Sequence, residues 1–194
     1  MTRNYEYFDA YLNSLFGDIY EQPTDVGHTR MSLEVIDNWI PKLVGCKTVV
    51  DMGCGQVAPQ GAFEQYGVSY LGVAIGRDVV VAKSEGKNVI NEDMTFTDLE
   101  TNSFDLVYSR HSLEHSPFPL LTLMEWRRVA KNWLLLILPR PEHFGRVGKN
   151  HYSVFFRDQW IAMLERAGWQ VIWEDDAEPQ EYRFMCQKVQ EKKE

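Results

Sequence analysis

The stretch Val49-Val50-Asp51-Met52-Gly53-Cys54-Gly55 limits the possible folds more than any other segment. A short apolar run ends in an acid and then breaks into two glycines that flank one residue. Glycine reaches backbone conformations closed to other residues and lets a ligand come close to the main chain. Ligands of open α/β sheets bind outside the carboxyl ends of the strands, where such a turn would lie.

The rest of the chain repeats the alternation that this turn begins. Strands are expected at Lys47–Met52, Ser69–Ala74, Asn88–Asn91, Phe104–Ser109 and Trp133–Leu138. Helices are expected between them, at Pro59–Tyr66, Asp78–Glu85 and Pro117–Ala130, the last with Ser116 as N-cap and Pro117 at its first position. The wholly apolar run Trp133–Leu138 suits the centre of a parallel sheet, which is buried on both faces. Arg157–Ala167 should be helical and stop at Gly168. Two strands, Trp169–Glu174 and Tyr182–Lys188, follow with no helix between them, so they pair antiparallel. Two helices precede the first strand: one carries Tyr5, Phe8, Tyr11, Leu12, Leu15 and Phe16 and stops at Gly17, and one runs from Thr29 to Ile40 and ends at Pro41. The expected fold class is α/β: a doubly wound, mostly parallel sheet with a closing antiparallel hairpin. We expect a single domain over residues 1–194, with 1–28 as a helical cap and 139–156 as a lid loop.

Composition narrows the function. The chain has 20 Lys and Arg against 28 Asp and Glu, a net charge of −8, which argues against a nucleic-acid backbone as partner. Its longest apolar run is far shorter than the ~20 residues that span a bilayer. Three cysteines without C-x-x-C spacing make a disulfide framework or zinc ribbon unlikely, and the opening residues lack the apolar core of a signal peptide, so a cytoplasmic setting is expected. No oligomeric state follows from the sequence. His111-Ser112-Leu113-Glu114-His115 has the order of the inverted zinc-peptidase motif. That chemistry needs both histidines on one face of a long helix, and barely one turn fits between the strand ending at Ser109 and Pro117, so no metal is expected.

A nicotinamide-binding turn would add a third glycine, where this chain has Gln56, Val57 and Ala58. An acid placed before the glycines suits a cofactor with an ammonium group better than a pyrophosphate. Asp51-Met52-Gly53-Cys54-Gly55, Tyr70-Leu71-Gly72-Val73, Asn91-Glu92-Asp93-Met94, Phe104 to Ser109 with Leu113-Glu114-His115, Arg127 to Asn132 before the apolar strand, and Leu164 to Trp169 together resemble the class I S-adenosylmethionine-dependent methyltransferases of the type 11 group.

The resemblance implies a Rossmann-like methyltransferase fold, S-adenosylmethionine as cofactor, and methyl transfer to a small-molecule acceptor. It implies cofactor contacts from Asp51, Met52, Gly53, Cys54, Gly55, Ala74, Ile75, Asp93, Met94, Ser109 and Arg110. Asp51, Gly53 and Gly55 would hold the methionine part. Asp93 would bond the adenine amino group with Met94 against the ring, and the backbone of Ser109 and Arg110 would lie along the cofactor. The sequence departs from the family at Ala74, which stands where an acid usually grips the ribose; Asp78, four residues on, is the possible substitute. That gap motivates the alternative of a catalytically degenerate binding protein. His111, His115 and His151 are the candidates for a general base. The loop after the fifth strand concentrates Arg140, Arg146 and Lys149 in an acidic chain and is read as an acceptor lid suited to an anion.

Overall fold

The computed structural model describes residues 6–16, 26–144, 150–175 and 179–190. Seven strands form one sheet in the order β3-β2-β1-β4-β5-β7-β6. They are β1 (Thr48–Met52), β2 (Ser69–Ala74), β3 (Val89–Asn91), β4 (Phe104–Arg110), β5 (Ala130–Pro139), β6 (Trp169–Glu174) and β7 (Glu181–Lys188). The first five are parallel, and β7 runs antiparallel to both β5 and β6. The doubly wound sheet and the antiparallel ending are as the sequence predicts.

Strand alternation divides the core into two layers. Leu135 and Ile137 of β5 join Val49, Leu106, Tyr108 and Met185 on the face covered by α2 (Val26–Trp39), α3 (Gln60–Glu64) and α4 (Arg77–Ser84). Leu134, Leu136 and Leu138 join Val50, Val107, Phe184 and Cys186 beneath α5 (Pro119–Val129) and α7 (Arg157–Arg166). The second layer holds three buried tryptophans, Trp126, Trp160 and Trp169. Two of their indole N–H groups are satisfied: Trp126 donates to the Met94 carbonyl (3.0 Å) and Trp169 to the Leu123 carbonyl (3.0 Å). The cysteines are reduced and buried.

Several boundaries differ from expectation: α2 begins at Val26 rather than Thr29, and β5 at Ala130 rather than Trp133. Helix α5 begins at Pro119, not Pro117. Phe118 precedes a proline, which drives a residue out of the helical region, and its φ of −129° and ψ of 56° lie outside it. Phe118, not Ser116, is therefore the N-cap, and no side chain caps the helix; Ser116 Oγ accepts instead from the Phe118 N–H at 3.1 Å, outside it. Pro41 does not end the second helix abruptly, since a 3-10 turn carries Ile40–Lys42 past α2. The segment 139–156 is not loop throughout, because Pro141–Phe144 forms a short helix, α6. Helix α1 (Glu6–Phe16) rests by Phe8 on Phe96 and Phe118, with ring centroids 5.9 and 5.6 Å away, and so lies over the segments that follow β3 and precede α5.

Candidate active site

Strand β1 pairs with β2 on one side and β4 on the other, so the sheet changes direction there and a crevice opens above its carboxyl end. The glycine turn sits at this point. Gly53 and Gly55 have φ of +79° and +53°, which glycine accepts readily. The N–H groups of Gly53 and Cys54 both donate to the Val73 carbonyl (2.9 and 3.1 Å), which locks the turn to the end of β2. A Cβ on Gly53 would collide with Cβ and Oγ of Ser112 and come within 3.5 Å of the Met94 sulfur. The protein itself therefore requires glycine here. Ser112 Oγ donates to the Gly53 carbonyl at 2.8 Å, and Ser109 Oγ to the Met52 carbonyl at 2.9 Å. These bonds tie the segment after β4 to the turn.

Asp51 lies at the root of the turn and is 2% exposed. It accepts a hydrogen bond from the Tyr70 hydroxyl at 2.6 Å. Burial lifts its carboxyl to about 7, against the smaller lowering effect of Tyr70. The described surroundings thus hold an acid that lacks a cationic partner of its own. Asp93 accepts from the Thr95 N–H (2.9 Å), and burial raises its carboxyl above the usual range. The residues fit the expected cofactor at two of its three parts. A buried acid beside glycines suits an ammonium, and an acid next to Met94 suits an adenine edge and face. At the ribose the fit is incomplete: Ala74 is buried and offers no acceptor, and Asp78 already accepts from the Gln56 amide at 3.0 Å.

Residue Val57, two past Gly55, has φ of +65° and is fully buried. A β-branched residue there is a steric outlier.

On the β4 side lies a buried polar cluster. His111 adopts φ of +49°. Its Nε2 lies 3.0 Å from Glu181 Oε1, which also takes Arg110 at 2.5 Å, while Arg183 holds Glu181 Oε2 at 3.0 Å. Burial opposes ionisation of Glu181, but His111, Arg110 and Arg183 outweigh it and bring its carboxyl down to about 2. Burial pushes the His111 imidazole below its ordinary value. Glu114 and His115 sit on a single 3-10 turn, Leu113–His115, so the two-histidine helix of the peptidase motif is absent. Glu114 is 2% exposed, and burial raises its carboxyl to about 8. His115 packs edge-on against His151, with centroids 4.8 Å apart. Burial, then His151, lowers His115 to about 4, and burial also lowers His151. The histidines named from sequence thus divide: His111 faces Glu181, while His115 and His151 face each other.

Arg140 is held against the closing hairpin. Its Nε donates to the Glu181 carbonyl (2.9 Å), and its guanidinium lies 4.8 Å over the Tyr182 ring. Arg146 and Lys149 lie outside the described residues. Ile75 is half-buried just past Ala74. Sequence reasoning missed Tyr70, Glu181 and Arg183 as members of the site, and it passed over Glu114 as a functional group. Tyr70 and Glu181 arrive through strand pairing, and the only sequence signal for Glu181 is an acid directly before an apolar strand.

Residues 50–136 match a family model described as a methyltransferase domain. Among solved structures, the chain is similar to magnesium protoporphyrin IX methyltransferase from Synechocystis PCC 6803 with bound S-adenosylhomocysteine (TM-score 0.68, 15% identity, 95% of this chain and 97% of that one). It is also similar to a SAM-dependent methyltransferase from Archaeoglobus fulgidus (0.68, 17%, 82% and 94%) and to a protein from Pyrococcus horikoshii OT3 (0.71, 18%, 87% and 94%). No protein of curated function matches the sequence. Among the described residues no helix is long and apolar enough to cross a membrane. The strand order and the glycine turn agree with these likenesses: the chain has the Rossmann-like fold of S-adenosylmethionine-dependent methyltransferases, and its residues 50–136 are similar to a methyltransferase domain.

Proposed function

We propose that the chain methylates a small-molecule acceptor held between the glycine turn and the cluster after β4. The observation that carries this reading is the hydrogen bond from Ser112 to the Gly53 carbonyl, which sets the cluster segment directly against the turn. Asp51, Gly53 and Gly55 would hold the methionine end of the cofactor, and Asp93 with Met94 the adenine end. The bound cofactor supplies a methyl carbon already activated by its sulfonium. The protein's main task is then alignment, which can be worth several kcal/mol. Burial holds His115 and His151 below the ordinary imidazole value, so both are neutral at neutral pH, the state a general base starts from. Arg146 and Lys149 in the lid would favour an anionic acceptor, and charges of this kind are sensitive to salt. The gap at Ala74 weakens the grip on the ribose without touching the turn, so we favour an active enzyme over a degenerate binding protein.

The test is release of S-adenosylhomocysteine across a panel of carboxylates, phosphorylated sugars and neutral sugars. An active acceptor is expected among the anions. Arg146→Ala with Lys149→Ala should raise its KM several-fold and leave S-adenosylhomocysteine affinity unchanged. No turnover with any acceptor, and no heat on titrating S-adenosylhomocysteine, would refute the reading. Turnover confined to neutral acceptors, unaffected by the double substitution, would refute the role of the lid.

A further inference from the structure

We propose that Glu114, His115 and His151 form a binding site for a divalent first-row transition-metal ion, of which Zn2+ suits the donors best. The sequence argued against a metal on the ground that His111 and His115 cannot share a helix face. The structure pairs His115 with different residues. One ligand atom from each of Glu114, His115 and His151 lies within 4.8 Å of the other two, and Glu114 Oε1 is 4.0 Å from His115 Nε2. Zn2+ takes nitrogen and oxygen ligands at ~2.0–2.2 Å, which puts neighbouring ligand atoms ~3.3 Å apart. Side-chain rotations of an ångström or so therefore close the site.

Three further features are those of a built site. First, His115 Nδ1 lies 3.1 Å from the Asn150 carbonyl, which can only accept. Nδ1 therefore carries the proton and Nε2 presents its lone pair, the arrangement that metal-ligating histidines use. Asn150 is buried at φ +77°, so that carbonyl is held in place by an uncommon backbone conformation. Second, Ser153 fixes the His151 segment to the turn carrying Glu114. Its N–H donates to the Glu114 carbonyl at 2.9 Å and its Oγ to the Ser116 carbonyl at 2.6 Å. Third, Glu114 Oε2 is buried and receives no hydrogen bond. Buried carboxyl oxygens rarely go without one. A cation between the Glu114 carboxyl and two imidazoles would partner that oxygen.

Two imidazole nitrogens and one carboxylate select a transition ion over Mg2+ or Ca2+, which prefer oxygen throughout. Three protein ligands also leave a position open, as in catalytic zinc sites. Ser112 ties this segment to the glycine turn, so the open position would serve to hold an acceptor oxygen. That role rests on the methyl-transfer reading; metal binding does not.

The experiment titrates Zn2+ into chelator-treated full-length protein by calorimetry, with Co2+ as a spectroscopic probe. One ion per chain is expected, with the visible absorption of four-coordinate Co2+. Glu114→Gln and His151→Ala should each weaken binding at least tenfold. Because Glu114 is in the core, His151→Ala, at a half-exposed position, keeps the test decisive if the glutamine variant does not fold. No binding at micromolar Zn2+ to folded protein, or equal binding by His151→Ala, would overturn the proposal. S-adenosylhomocysteine is titrated into the same chelated sample. Cofactor binding without zinc binding would sink the metal site alone, and zinc binding without cofactor binding would sink the methyl-transfer reading alone.

Discussion

Replacing Asp51 with asparagine should stabilise the protein without ligand and cripple its grip on the cofactor. Asp51 is buried in β1 and accepts a hydrogen bond from the Tyr70 hydroxyl. Its carboxyl stands at about 7 in the folded chain against 3.8 for a free aspartate. The sign follows from linkage. An acid whose folded value is raised favours folding fully at pH below about 4, and that contribution is lost as pH rises through about 7. At roughly 1.4 kcal/mol per unit, about three units amount to about 4 kcal/mol at alkaline pH. This is an upper bound, because a buried group draws in some water when it ionises. Asparagine resembles the protonated acid and can still accept from Tyr70. At about pH 8.5 the variant should therefore unfold several degrees higher, since each kcal/mol moves Tm by about 2–4 °C at this chain length. The gap should narrow as pH falls from about 7 and close only below about pH 4. Calorimetry with S-adenosylhomocysteine should show the reverse order. Losing a charge-assisted bond to the ammonium removes about 1.5–3 kcal/mol, on the order of tenfold to a hundredfold in Kd. A stability gap that is absent at about pH 8.5, or as large below about pH 4, would refute the account of Asp51.

Two further substitutions probe the turn. Val57→Gly should be at least as stable as Val57→Ala in urea melts, because relief of the left-handed strain, about 1–2 kcal/mol, exceeds the roughly 0.5–1 kcal/mol entropic penalty of glycine; a glycine variant clearly weaker than alanine would show that the backbone there is unstrained. Ala74→Asp should tighten S-adenosylhomocysteine binding about tenfold by calorimetry if the ribose lacks a partner. Unchanged affinity, together with a loss in Asp78→Asn, would instead assign the ribose to Asp78.

What was legible in the sequence was what local physics dictates. Strands buried on both faces announce themselves as unbroken apolar runs, as β5 does, and Asp51 to Gly55 marks the switch point because only glycine tolerates its backbone. Local competition blurred the start of α5, where Pro117 and Pro119 both offer a first helical position and the constraint on Phe118 decides between them. The partners of the site were hidden for a different reason. Tyr70 reaches Asp51 from the neighbouring parallel strand, and Glu181 reaches Arg110 from the far end of a hairpin. Such contacts depend on register across the sheet, which no window of sequence contains. The H-x-x-E-H pattern draws attention to His111 and His115, whereas the structure sets His115 against His151, which comes from a separate segment.

The antiparallel strand β7 also sets the order in which this molecule can be completed. It is wedged between β5 and β6, yet it follows both along the chain. A nascent chain released from the ribosome as far as Glu174 already contains β5 and β6 but not the strand that joins them. Until β7 emerges, the edge of β5 from Trp133 to Pro139 is open and apolar, the kind of edge that pairs with other chains. Over the same interval Arg110 lacks Glu181, so its guanidinium cannot yet be buried. The sheet and the polar cluster are therefore finished by one event, the insertion of a single strand, and a chain stalled before it would be both aggregation-prone and without its buried polar cluster.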